Sequence, residues 1–143
     1  MTFDPLQRKV VGRAALLMAI GMFTGIWSGI ALAGKVKVDV PHLALAAHLN
    51  ALFGCFWLVA IAWTLPMLSY DAKAKERLAN GALLPTYGNW LVTLVASFVG
   101  ERGIEFQGRL GNDVIAALLL AVVVLPALVV SAAWANGFRR PAA

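Results

Sequence analysis

The chain has 143 residues, is 61% hydrophobic and only 13% charged. A soluble domain carries about a quarter charged residues and just under half apolar ones, so this composition excludes an ordinary soluble domain and points to a membrane. Twelve Lys and Arg against seven Asp and Glu make it basic. That excess is divided among chain ends and short loops, the pattern of membrane topology and anionic headgroups rather than of a nucleic-acid partner. The single cysteine, Cys55, excludes an internal disulfide framework.

Four apolar stretches, at roughly 11–33, 42–68, 79–100 and 114–137, meet the need for about 20 residues per membrane crossing. The links between them are short, with no internal repeat, so neighbouring helices are expected to be antiparallel. The predicted fold is an all-α integral membrane four-helix bundle in one domain, 1–143. Arg8, Lys9, Arg13, Lys73, Lys75, Arg77, Arg139 and Arg140 fall on one side, and Lys35, Lys37, Arg102 and Arg109 on the other. This bias predicts both termini in the cytoplasm and a bacterial inner (cytoplasmic) membrane as the location. Ala31-Leu32-Ala33 imitates a signal-peptide cleavage site, but the apolar run before it exceeds the roughly 7–15 residues of a signal h-region. It is therefore expected to remain as the first helix.

Helix 1 carries Gly21, Gly25 and Gly29 at four-residue spacing, a ridge that admits another backbone closely, within the subunit or between subunits. Helix 2 contains His48 in the run LALAAHLNALFG. At about 100° per residue, Ala51, Leu52, Cys55, Val59 and Ala62 lie within roughly 60° of His48, and Asn50, Trp57 and Thr64 lie opposite. The histidine thus heads a smooth stripe without aromatic rings. Something flat fits on it, either another helix or a planar macrocycle. Helix 3 carries Thr86, Asn89, Thr93 and Ser97 within about 80° of arc, a polar seam that faces protein, cofactor or water rather than lipid. Trp90 lies beside the seam and Tyr87 further round. At about 1.5 Å per residue, His48 and Thr93 lie roughly 9 and 10 Å inside the outer ends of their helices, and Asn89 about one turn deeper. They share a layer, whether or not they face each other. Helix 4 has no ionisable group inside it and reads as scaffold and lipid contact, with a kink expected at Pro126.

A buried imidazole bonds a neighbouring helix, relays protons or binds a metal. A hydrolytic zinc site usually takes three protein ligands, which this chain does not offer. His42, the other histidine, lies about 120° round the helix from His48 and at its start, where an interfacial or capping role suits it. The two cannot ligate one iron from opposite sides, which excludes a bis-histidine haem within one chain. A single-histidine haem with its other axial position open is allowed. Cys55 on the same stripe is a second conceivable ligand or a small buried residue.

Several short motifs occur in order: A-H-L at Ala47 to Leu49, Leu65-Pro66, P-T-Y-G-N-W at Pro85 to Trp90, and Arg102-Gly103 with Phe106 ahead of Asp113. In these the chain resembles the small four-span membrane isomerases that include styrene oxide isomerase and hydroxylaminobenzene mutase. The resemblance implies a homotrimer with haem b at the subunit interfaces and His48 as the axial ligand to iron. It implies Ala51, Leu52 and Cys55 beside the cofactor. Ferric iron would then act as a Lewis acid on a small aromatic substrate, with Asn89, Tyr87 and Thr93 as the catalytic candidates. The two reactions implied are aryl hydroxylamine to aminophenol and aryl epoxide to aldehyde. Arg102 and Arg109 are either partners of haem propionates or solvated loop charges. The chain departs from the epoxide isomerases at Gly54, where they carry Asn, and at Thr93, where they carry Tyr. The T-Y-x-N-W run is closer to hydroxylaminobenzene mutase, although that branch also carries the Asn. The alternative of another class is a non-catalytic membrane assembly subunit, which predicts no cofactor and tolerance of changes at His48 and Asn89.

Overall fold

The computed structural model describes residues 4–139. The first helix, α1, spans Pro5–Leu32. Asp4 accepts from the Leu6 N–H and its own N–H donates to the Gln7 side chain, a capping box. Pro5 occupies a first-turn position, where its missing N–H is no loss. These signals place the start several residues before the apolar run on which the prediction relied. The second helix, α2 (Pro41–Thr64), also begins on proline and ends in a 3₁₀ turn, Leu65–Met67, built around Pro66.

The third helix, α3 (Ala72–Val99), opens on Asp71, whose carboxylate accepts the Ala74 N–H at 2.7 Å, and closes at Gly100 in the left-handed conformation (φ 72°). The charged stretch before residue 79 was expected to be a loop. It is helix, because Lys, Ala, Glu and Arg are good helix formers once a cap is in place. The fourth helix, α4 (Leu110–Asn136), widens into π-helix over Leu119–Val124. A proline ring collides with the carbonyl four residues back and donates no hydrogen bond. The wide turns ahead of Pro126, with the Leu125 N–H on the Leu120 carbonyl, absorb that conflict where a kink was expected.

All four helices are long and apolar enough to cross a membrane. Large apolar side chains such as Phe23 and Phe53 are 74% and 67% exposed, a surface suited to lipid contact. The layers run α1, α2, α3, α4, each packed mainly on the next, with α4 held chiefly by α3. Val10, Ala14 and Leu17 of α1 meet Ala51, Cys55, Leu58 and Ile61 of α2 and Leu78, Ala79 and Ala82 of α3 in the main core. The Gln7 amide donates to the Ala62 carbonyl at 2.9 Å, which sets the start of α1 beside the end of α2. The Trp134 indole donates to Thr64 Oγ1 and the Tyr70 hydroxyl to the Ala133 carbonyl, which ties the end of α4 to the same level. The basic residues of α1 and of early α3 therefore share one end. Arg140 lies outside the described residues.

Candidate functional site

The glycine ridge of α1 meets α2 inside the chain. A Cβ on Gly21 would lie 2.8 Å from Ala51 Cβ, and one on Gly25 would lie 2.9 Å from His48 Cε1. Only glycine permits this approach. Gly29 meets nothing within 4 Å in the same chain. The flat partner of the His48 stripe is thus α1 itself.

The half-buried His48 ring places Nδ1 2.7 Å from the Gly21 carbonyl oxygen. A carbonyl only accepts, so this contact requires the proton on Nδ1 and leaves the neutral ring with its lone pair on Nε2. Metal-ligating histidines are commonly oriented by such a bond from their other nitrogen. Among the described residues no group of three or more His, Cys, Asp or Glu could hold a metal ion. The donor set therefore fits one axial bond to a haem iron and does not fit a zinc site.

Of the residues expected beside the cofactor, Ala51 is 0% and Cys55 6% exposed, both packed in the core of the chain. Leu52 remains half-buried at the edge, with its Cδ2 against Gly21. His42 is exposed at the start of α2 and makes no capping bond there.

The shared layer is real, but the facing is not. Asn50, two residues from His48 and on the opposite side of α2, donates to Asn89 Oδ1 and to Thr93 Oγ1, each at 3.0 Å. The polar seam of α3 thus meets Asn50 rather than His48. Its other members part company. Thr86 bonds the Ala82 carbonyl of its own helix, and Ser97 accepts the Trp27 indole at 3.2 Å. The Trp90 indole donates to Thr24 Oγ1 and the Tyr87 hydroxyl to the Arg13 carbonyl at 2.7 Å. Tyr87 therefore ties α3 to α1, and its hydroxyl makes no bond to the Asn50–Asn89 pair.

Between α2, α3 and α4 lies a cavity of about 250 Å³. Its walls carry Asn50, Phe53 and Trp57 of α2 and Asn89 of α3. Val123 of the π-helical stretch and Ala127 close it from α4. Gly54 lies at its base, where a Cβ would meet Leu17 Cδ2 at 3.1 Å and Thr86 Cβ at 3.3 Å. Here α1 and α3 close on α2 in the space an asparagine would fill. Gly54→Asn is expected to lower the thermal midpoint in detergent, at an overpacking cost of about 1–3 kcal/mol. An unchanged midpoint would show that the space opens freely.

In the loop between α3 and α4 Arg109 Nη2 pairs with Glu101 at 2.7 Å, and Arg102 is exposed. Asn112 is buried behind them and organises the loop: its Oδ1 accepts the Gly103 N–H and its Nδ2 donates to the Glu105 carbonyl.

The sequence model of the styrene oxide isomerase family matches residues 6–139. The chain belongs to the styrene oxide isomerase family. It is also 29% identical over 102 residues to hydroxylaminobenzene mutase HabB of Ectopseudomonas oleovorans, a match covering 71% of this chain and 58% of that protein. The chain thus spans less than two thirds of that relative's length. No solved structure matches.

In this family member the motif histidine sits at the α1–α2 contact, and Pro85, Thr86 and Asn89 of P-T-Y-G-N-W lie on the α3 wall of the cavity. Asn50 was placed correctly as pointing away from His48, yet its part in the seam was missed. Two signals were available: an amide in a membrane helix, and a depth equal to that of Asn89 and Thr93.

Proposed function

We propose that this chain is a membrane isomerase that holds haem b through His48 and converts an aryl hydroxylamine to an aminophenol. The observation that carries this reading is the His48–Gly21 bond, which leaves Nε2 as a single oriented donor. The similarity to hydroxylaminobenzene mutase HabB favours the hydroxylamine over the epoxide.

Bound haem supplies a ferric Lewis acid for a rearrangement without net redox change. The protein does the rest. Gly21 fixes the imidazole tautomer, and Gly25 leaves space for the ring. Amide hydrogens of the Asn89 group stabilise charge as the N–O bond breaks heterolytically. The hydroxyl returns to the ring, the ring carbon gives up its proton and the nitrogen takes one up, so the aminophenol is an isomer of the hydroxylamine. Phe53, Trp57 and the α4 wall give the cavity an apolar lining, and the surrounding lipid keeps out the water that would trap the cation.

His48 and the Asn89 group lie on opposite sides of α2. A cyclic homotrimer sets one face of each copy against a different face of the next. Such a ring would bring the His48 edge of one copy towards the seam of its neighbour and seat the haem at the subunit interface. The membrane is proposed to be the bacterial inner membrane with both termini cytoplasmic, from the shared basic end of α1 and α3.

Purified protein in lipid nanodiscs, given phenylhydroxylamine and styrene oxide in parallel, is expected to form aminophenol and to leave the epoxide largely unchanged. Aldehyde from styrene oxide alone would reverse the substrate assignment. Inertness towards both would remove the isomerase reading and favour a non-catalytic assembly subunit.

A further inference from the structure

Asn50 and Asn89 are bonded through only half of each amide. Asn50 commits both amide hydrogens, to Asn89 Oδ1 and Thr93 Oγ1. Among the described residues Asn50 Oδ1 accepts no hydrogen bond and Asn89 Nδ2 donates none. Yet no buried side-chain nitrogen or oxygen lacks a partner there. Both atoms therefore reach open surface, and the cavity between α2, α3 and α4 is lined by both residues. The two residues bring one uncommitted acceptor and one uncommitted donor to an otherwise largely apolar lining.

We infer that Asn50 is a specificity-determining residue: with Asn89 it forms a seat for a head group that donates and accepts at once, and so selects aryl hydroxylamines over aryl epoxides. An –NH–OH group donates to Asn50 Oδ1 and accepts from Asn89 Nδ2. An epoxide oxygen only accepts and leaves Asn50 Oδ1 facing an apolar ligand, a discrimination that a site built for a hydrogen bond makes strongly. The volume fits: a cavity of about 150 Å³ holds one benzene ring, so about 250 Å³ admits a ring with a short head group. Phe53 and Trp57 offer faces for the ring. The choice of substrate rests on the isomerase reading, but the donor–acceptor seat does not, since its binding needs no iron.

The test uses full-length protein in nanodiscs and two unreactive probes of similar size. Benzamide donates and accepts; acetophenone only accepts. Dissociation constants come from ligand-observed NMR titration. Wild type is expected to bind benzamide at least about tenfold more tightly than acetophenone. Asn50→Leu is expected to bring the two within about twofold and to cut the hydroxylamine-to-epoxide ratio of kcat/KM by a similar factor. Asn50→Ser, a smaller polar change, gives the same reading if Asn50→Leu is not recovered folded. Equal affinities in wild type, or a preference that survives both substitutions, would overturn the inference. A benzamide preference lost in the variants, in a protein inert to both substrates, would sink the isomerase reading and keep the seat. Aminophenol formation without that preference would do the reverse.

Discussion

His48→Ala protein from haem-replete cells is expected to be folded and to show no Soret band, whereas wild type is expected to show one. The expected loss is large because Nε2 of His48 is the single oriented nitrogen donor that the site offers to iron. The fold should survive, since the substitution removes one hydrogen bond, worth about 0.5–1.5 kcal/mol net, from an interface also held by Gly21 on Ala51 and by the core below. Gly25→Leu makes the sharper test. It keeps the imidazole, but its first side-chain carbon would lie 2.9 Å from His48 Cε1, so the ring must turn and release Gly21. Loss of the Soret band in both variants ties haem to the orientation of His48. Full retention in His48→Ala would move the ligand elsewhere, and a colourless wild type would remove the cofactor from the proposal.

Asn112→Leu is expected to cost about 1–3 kcal/mol, because it strands one buried backbone group, the Gly103 N–H. Asn112 is 1% exposed and Gly103 is buried, so little water reaches that N–H, whereas the carbonyl of the exposed Glu105 is open to water. With total stabilities of about 5–15 kcal/mol, that loss is expected to free the loop between α3 and α4 to protease well before the helices unfold. Gly103→Ala should resemble it for a different reason. Gly103 has φ 62°, and an added Cβ would collide with the Ile115 side chain. A loop as protease-resistant in both variants as in wild type would show that Asn112 does not hold it. Arg109, already paired with Glu101 on the surface, is the weaker member; its replacement is expected to change stability by less than about 1 kcal/mol.

The depth and face of His48, Asn50, Asn89 and Thr93 were legible because a membrane helix has a fixed rise and turn. One layer was predicted, and one layer is found. The glycine spacing announced a close approach but did not name α2 as the partner. Tyr87 looked like a hydrogen-bond donor to substrate because it lies beside the polar seam in sequence; only the fold shows its hydroxyl donating to the Arg13 carbonyl. The first turns of α3 were missed because apolar length finds membrane spans and overlooks a capped, charged helix end.

The sequence by itself determined that this is a chain of four helices long and apolar enough to cross a membrane, that the second carries a histidine on a stripe free of aromatic rings, and that the third has a polar seam. Length, composition and helical period carry that information locally. Tertiary structure alone decided that α1 covers the His48 stripe, that Asn50 rather than His48 meets the seam, and that the π-helical part of α4 walls a cavity there. In a lipid-facing protein every side of a helix is apolar, whether it meets a neighbour or the bilayer. Hydrophobic pattern therefore does not say which faces touch, and contact geometry has to.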